Sequence, residues 1–353
     1  MALAPSSHLI NKLFDLYFGN LPIKPKKEVV VVGYGWAGKS FCDKINTNKY
    51  NVTVVSKTDY MLNTTKLKNL LIDKEEDDLK IKPKLENINF IKDECKDIIE
   101  SQNIIKTKDK TIKFDYLIIA VGSENNDFGI KGVKEHCYFF KSIEDVNNIK
   151  KYLELNNQIV IIGGGPNGIE LAFELSKKYK NIKIVEAISD ILSMFSDITK
   201  LIVKKELVKS GIQLILDNQV MEIEKNMIKA KKYNVNFNTA IWTGGIKPNS
   251  LLQKITKDKF IVNKHFNYNK SNIYALGDIV AMGPPTAQNA KQQGYYLANY
   301  FNNDLQGEPY EYKENGKIIH SKDWIIIETN GYGTWRVPHF VQPIIDYYIS
   351  KEG

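Results

Sequence analysis

Cysteine is scarce in this chain of 353 residues: Cys42, Cys95 and Cys137 stand far apart, with no C-x-x-C or C-x4-C pair. A redox-active dithiol and a structural zinc site are therefore not expected, and so few thiols suit a reducing compartment. The five histidines, His8, His136, His265, His320 and His339, make no H-E-x-x-H or similar ligand spacing, so no metal site is expected. Arginine is reduced to Arg336, which leaves no Arg-rich arm for nucleic acid and no Arg-rich transit segment. No run of about 18 apolar residues suggests a membrane-spanning helix. The beginning of the chain also lacks a basic stretch leading into an apolar one, so no secretory signal is read there. These absences favour a cytosolic protein, with a matrix-side location also open.

The chain is otherwise rich in lysine and carries a formal charge of +8. The lysines are scattered, as in Lys66/Lys68, Lys80/Lys82/Lys84 and Lys229/Lys231/Lys232, which reads as a solvated surface and argues against nucleic-acid binding. A hydrophobic content of 43% and a length sufficient for about two domains predict a well-cored globular protein. Leu9, Ile10, Leu13, Phe14, Tyr17 and Phe18 recur at helical spacing and predict a short amphipathic helix in an extension over 1–27.

The informative pattern is a repeat. The β-branched run Glu28–Val32 leads into Gly33-Tyr34-Gly35-Trp36-Ala37-Gly38, a helix, and a second strand over Asn51–Val55. About 130 residues later, Gln158–Ile162 leads into Gly163-Gly164-Gly165-Pro166-Asn167-Gly168, a helix over Gly168–Lys178, and the strand Ile182–Val185. A single G-x-G-x-x-G is weak evidence, and its ordinary alternative is a turn that binds nothing. Strand before and helix after give it force, because the first glycine makes the tight turn and the second lets a pyrophosphate reach the backbone. The third packs helix against strand, leaving the helix N-terminus aimed at the anion.

The copies differ where the ribose is read. Glu186 ends the second unit, where a carboxylate accepts the ribose 2′-hydroxyl and repels a 2′-phosphate, so NADH is expected over NADPH. In the first unit that place is Ser56, capable only of a neutral hydrogen bond. Two dinucleotide units imply two dinucleotides, and a nicotinamide with a flavin is the pairing that makes redox sense. Asp278, directly after a strand and Gly277, is placed to bond a ribityl chain, although an isolated Asp there is often only a cap.

Other elements read less distinctly. Ile104–Lys106 and Thr111–Phe114 predict a hairpin, and Tyr116–Ala120 a strand. Gln213–Leu216, Val220–Ile223 and Met227–Ala230 predict a meander, and Thr239–Trp242 with Gly244-Gly245 a return to the first domain.

With these segments in hand, the chain resembles the two-dinucleotide-binding flavoproteins, and within them the type II NADH:quinone oxidoreductases, or alternative NADH dehydrogenases. The resemblance runs through Val30–Gly38, Val52–Ser56 with Tyr60, Leu62 and Thr64, Asp115–Ser123, Asp127–Ile130 with Gly132-Val133, and Phe140–Asp145. It continues through Gly163–Glu170, Thr243–Asn249, Gly277-Asp278 and Pro284–Gly294, the last being the most discriminating. It implies an α/β fold of two Rossmann-like domains: a discontinuous FAD domain over 28–142 and 238–305, and an inserted NAD domain over 143–237. Residues 306–353 are expected to form an interface or membrane-contact region.

The resemblance implies FAD contacts from Gly33, Gly35, Trp36, Ala37, Gly38, Ser56, Ala120, Val121, Gly122, Gly277, Asp278, Ala287 and Gln288. It implies NAD contacts from Gly163, Gly165, Pro166, Asn167, Gly168, Glu170, Glu186, Gly244 and Gly245. Glu170 would lie near the meeting of nicotinamide and flavin, and Gln288 and Gln292, one helical turn apart, would face a quinone. Hydride would pass from NADH to FAD and two electrons onward to a quinone or another small acceptor.

The sequence departs from the pattern at Thr65-Lys66, where Pro-Leu is expected, and it ends before the family's usual C-terminal anchoring helices. Phe340, Val341, Ile344, Ile345 and Tyr348 nevertheless share a helical face suited to a membrane surface, the protein core or a homodimer interface. Two alternatives stand beside the quinone reading. One is a soluble NADH:acceptor reductase; the other is a flavoprotein resembling apoptosis-inducing factor, acting through NADH-dependent partner or DNA binding.

Overall fold

The computed structural model describes residues 25–345, except 73, 84–85, 155–156, 255–259 and 331–332, and of 253–254 the backbone alone. The helix expected over 9–18 and the position of Tyr348 lie outside the described residues.

Two five-stranded parallel sheets organise the chain. The first runs Ile273–Ala275, Tyr116–Ile119, Lys27–Val32, Tyr50–Ser56, Ile88–Lys92 across its width. The second runs Tyr138–Phe139, Thr239–Trp242, Ile159–Ile162, Ile182–Val185, Gln213–Ile215. In each, the strand that feeds a glycine loop lies at the centre. Val29 to Val32 and Ile159 to Ile162 are buried along their whole length, as strands covered on both faces must be. That is why these runs are continuously apolar and do not alternate.

Two expected elements change place. Gln213–Ile215 is no part of a meander: it pairs parallel with Ile182–Val185 as the edge of the second sheet. The antiparallel sheet is built from Val220–Glu224, Met227–Ala230 and Val235–Asn236. Thr239–Trp242 likewise belongs to the second sheet, pairing with Ile159–Ile162, so this sheet reaches past both ends of 143–237. A short apolar strand carries no mark of parallel or antiparallel pairing, so neither placement could be read from pattern. The chain crosses back only after Gly245, where Ile246–Pro248 pairs antiparallel with Ser123–Asn125.

The second glycine helix spans Pro166–Ser176, beginning two residues before the expected Gly168 because Pro166 occupies its first turn. Beyond the helix Ala287–Asn302, the strands Lys317–His320, Trp324–Thr329 and Gly333–Pro338 form an antiparallel sheet. This sheet packs on the helices Pro166–Ser176 and Asp197–Lys209. Ile319 and Ile326 are buried in one core with Leu67 and Leu70 of the 3₁₀ segment Thr64–Leu71 and with Ile169 and Phe173. Burying each such side chain stabilises the contact by about 1.5–3 kcal/mol. The Thr64–Leu71 segment, the second glycine helix and the C-terminal sheet are therefore cemented together.

Candidate active site

The two glycine loops have the same construction. Gly33 has φ +101°, and a Cβ there would stand 2.4 Å from the Ala120 carbonyl oxygen. A Cβ on Gly38 would stand 2.1 Å from the Gly33 oxygen. In the second loop Gly163 has φ +118°, and Gly168 repeats the 2.1 Å approach to the Gly163 oxygen. The middle glycines behave differently: around Gly35 and Gly165 nothing lies within 4 Å of an added Cβ. Outer glycines packed on backbone and a middle one facing open space make a cradle for a pyrophosphate, capped by the N-terminus of the following helix. Pro166 and Asn167 form the first turn of that second helix, and Trp36 and Ala37 that of the first.

Around the first cradle, Ala120 closes the strand end beneath Gly33, and Val121 and Gly122, at φ +68°, turn the chain away. Ser56 ends the neighbouring strand, its carbonyl accepting the Asp93 N–H at 2.9 Å. Trp36 Nε1 donates to Thr64 Oγ1 at 3.1 Å, tying the loop over the cradle to the glycine helix. Gly277-Asp278 follows the outer strand Ile273–Ala275 and meets Ala37, 3.5 Å from a Cβ at Gly277. The Gly277 N–H donates at 2.6 Å to Oε1 of Gln293, a fully buried side chain whose amide also donates to the Met282 carbonyl at 3.0 Å. Gln293 was not anticipated, yet it is the glutamine of this helix that holds the cofactor-side turn.

Gln288 and Gln292 do lie on one side of the Ala287–Asn302 helix, where Ala287 opens the first turn behind the Thr286 cap. Their partners come from the chain itself. Gln292 exchanges two hydrogen bonds with the Lys313 backbone at 2.7 and 3.1 Å, and Gln288 Oε1 accepts from the Tyr312 hydroxyl at 2.5 Å.

At the second cradle, Glu186 Oε2 accepts the Gly164 N–H at 2.6 Å, while Oε1 accepts from the Ala187 and Ile188 N–H groups at 2.7 and 3.1 Å. The carboxylate is thus clamped against the glycine loop at the end of its strand. Gly244 and Gly245 lie beside the Trp242 and Phe128 rings at the chain crossing. The residue that reaches the cradle from there is Thr243, whose hydroxyl donates to the Ile162 carbonyl at 3.0 Å and abuts Gly163 and Gly168. A Thr before two glycines could have signalled this.

Glu170 has the most developed surroundings. Its Oε2 meets Lys68 Nζ at 2.8 Å, and its Oε1 accepts the His320 N–H at 2.8 Å and lies 2.7 Å from His320 Nδ1. His320 Nε2 lies 2.8 Å from Gln342 Oε1. Lys68 and Glu170 expose 8% and 14% of their side chains, so this is a buried ion pair. Burial pushes the Glu170 carboxyl up, but the Lys68 ammonium and the His320 bond outweigh it and hold it down at about 2. Neither Lys68 nor His320 was anticipated, because their distances from Glu170 in sequence are 102 and 150 residues.

None of the three cysteines is in a disulfide and all are buried, and burial pushes the Cys137 thiol up to about 12. Among the described residues no group of His, Cys, Asp or Glu could hold a metal ion.

Comparison with known families settles the class. Residues 27–294 match the pyridine nucleotide-disulphide oxidoreductase family, over both glycine loops and the Pro284–Gly294 segment. The chain belongs to that family. This family member is similar to the mitochondrial external alternative NADH-ubiquinone oxidoreductase of Yarrowia lipolytica, 30% identical over 80% of this chain and 60% of that protein. It is also similar to a probable NADH dehydrogenase of Dictyostelium discoideum, 28% identical over 88% of this chain and 84% of that one. The chain thus spans a little under two thirds of the Yarrowia protein and most of the Dictyostelium one. In fold it matches the NDH2 of Plasmodium falciparum with a TM-score of 0.82 at 20% identity, covering 92% of this chain and 94% of that one. The sulfide:quinone oxidoreductase of Aquifex aeolicus matches with a TM-score of 0.75 at 18% identity, over 91% and 90% of the two chains.

Proposed function

We propose that this chain is an FAD-dependent, non-pumping NADH dehydrogenase that passes two electrons from NADH to a quinone. The balance is NADH, one proton and a quinone giving NAD⁺ and a quinol. The observation that carries this reading is the doubled cradle, with Gly35 and Gly165 each left open where every neighbouring glycine is packed. FAD, when bound, supplies the two-electron chemistry, and the chain's own part is to bind and orient. Gly33 to Gly38 would seat the FAD pyrophosphate, and Asp278 its ribityl chain. Gly163 to Gly168 would seat the NADH pyrophosphate, and Glu186 would accept from the adenosine ribose. Glu170, pinned by Lys68 and His320, would stand where the reacting rings meet. Orientation of this kind supplies most of the rate, so few acid–base groups are needed.

The test is optical. Purified protein should show a flavin spectrum that bleaches anaerobically with NADH and more weakly with NADPH, and that recovers on adding a quinone. Colourless protein that refuses added FAD would overturn the reading.

A second reading, a reductase for soluble acceptors, is favoured by one observation: Gln288 and Gln292 already bond Tyr312 and the Lys313 backbone. Turnover with a soluble dye but with no quinone would select it. Among the described residues no helix is long and apolar enough to cross a membrane. Contact with a membrane surface, as in mitochondria, is supported by Trp335, Phe340 and Ile344, which are 57%, 81% and 57% exposed. Flotation of the protein with anionic vesicles tests it, and loss of flotation in Phe340→Ser would assign the contact.

A further inference from the structure

Where the chain crosses between its two sheets, three side chains from distant segments form a directed relay. Lys141 precedes the helix Ile143–Tyr152, Ser123 opens the strand Ser123–Asn125, and Asp278 follows Gly277 at the end of the first sheet. Lys141 Nζ donates to Ser123 Oγ at 2.7 Å, and the same hydroxyl donates to Asp278 Oδ2 at 2.8 Å. A hydroxyl has one proton, and an ammonium can only donate, so the direction is fixed from cation through Ser123 to carboxylate. Ser123 is 7% exposed. Among the described residues the other Asp278 oxygen, Oδ1, has no protein donor.

We propose that Lys141 is a positioning residue for the flavin. Acting through Ser123, it occupies one oxygen of Asp278 and turns the other toward a hydroxyl of the bound cofactor's polyol chain. The proposal rests on the reading of this cradle as the FAD site.

The cost of keeping a lysine here supports a role. Burial pushes the Lys141 ammonium down, while Asp278, Glu124 and Asp145 act against that. Two of those carboxylates are engaged elsewhere. Asp145 caps its helix through the Lys141 and Ser142 N–H groups, and Glu124 accepts from the Ser250 N–H and hydroxyl. A serine between cation and carboxylate also sets a direction that a bare ion pair would leave to the side chains' own freedom. The arrangement is thus built around Asp278, by way of a hydroxyl that would otherwise have to be satisfied in a buried place.

The experiment compares full-length wild-type protein with Lys141→Gln, Lys141→Arg and Ser123→Ala. Each is stripped of flavin, and FAD is titrated back by quenching of flavin fluorescence. The flavin midpoint potential is then measured against reference dyes. Loss of one charge-assisted bond predicts an FAD dissociation constant about tenfold higher in Lys141→Gln and in Ser123→Ala. Lys141→Arg should recover most of that loss. The potential should fall in Lys141→Gln, because a cation near the flavin favours added electrons, and it should hold in Lys141→Arg. If Lys141→Gln does not fold, Ser123→Ala and Lys141→Arg carry the comparison through FAD affinity. Folded variants with wild-type FAD affinity and potential would overturn the proposal while leaving the FAD site intact. Wild-type protein that takes up no FAD would overturn the flavin reading itself, and this inference with it.

Discussion

Glu170→Gln removes one charge and keeps the shape, and its effect can be worked from the structure. The carboxyl has an ordinary value of 4.5 and is held at about 2 in the fold. A folded value below the unfolded one adds stability that is fully present above the unfolded value and lost as pH falls through the folded one. A separation of this size corresponds to about 3 kcal/mol at neutral pH, declining to about 1 kcal/mol near pH 3. The independent expectation for breaking a buried pair by removing one partner is about 3–5 kcal/mol, since the Lys68 ammonium is left buried and uncompensated. The two agree. The assay is urea unfolding of wild type and Glu170→Gln, followed by tryptophan fluorescence at pH 7, 5 and 3 and analysed as a difference between the two proteins. Acid effects common to both then cancel. The gap should be largest at pH 7, nearly unchanged at pH 5, and less than half as large at pH 3. A gap that stayed constant, or widened in acid, would refute the claim that Lys68 and His320 stabilise an ionised Glu170.

Gly35→Ala should leave the thermal midpoint of FAD-free protein unchanged, because nothing lies within 4 Å of the new Cβ, yet the protein should purify with little flavin absorbance. Gly33→Ala should destabilise the fold itself, since a Cβ would stand 2.4 Å from the Ala120 oxygen at a φ that side chains avoid. Glu186→Ala should raise KM for NADH about tenfold and, with the like charge gone, lower it for NADPH, and an unaltered preference in steady-state kinetics would remove Glu186 from the ribose. Glu328 is held at about 2: burial pushes it up, but bonds from Thr199 and Ser196 and the Lys317 contact at 3.0 Å prevail. Glu328→Gln should therefore cost about 1–3 kcal/mol by urea unfolding. It should also open the C-terminal sheet to limited proteolysis first.

What could be read from the sequence, and what could not, divides along a physical line. The runs Val29 to Val32 and Ile159 to Ile162, and the glycines after them, express constraints local to a few residues: both faces covered, one positive φ, one close approach. Such constraints leave a mark in the sequence itself. The pairing of Gln213–Ile215 and Thr239–Trp242 left none, because either strand could have satisfied its backbone in another sheet. The helix Ala287–Asn302 shows the boundary most clearly. Its glutamines are Gln288, Gln292 and Gln293, and their chemistry is the same; only the rotation of the helix decides which one faces inward. That rotation is set by Gly294, where a Cβ would stand 2.3 Å from the Ala37 carbonyl. It puts Ala290, Gln293 and Leu297 in the core, a helical stripe that was present in the sequence and would have identified Gln293.

Lys68, Glu170 and His320 mark the opposite limit. No local pattern joins residues separated by 102 and 150 positions, and the link between them exists only because three segments share one core through Leu67, Ile169 and Ile319. The Glu170 carboxylate is fixed from the Thr64–Leu71 segment on one oxygen and from the C-terminal sheet on the other. The second glycine helix therefore cannot shift without disturbing both. Lys317–His320, within the stretch 306–353 expected to form an interface or membrane-contact region, is part of the wall that holds the buried Glu170–Lys68 ion pair in place.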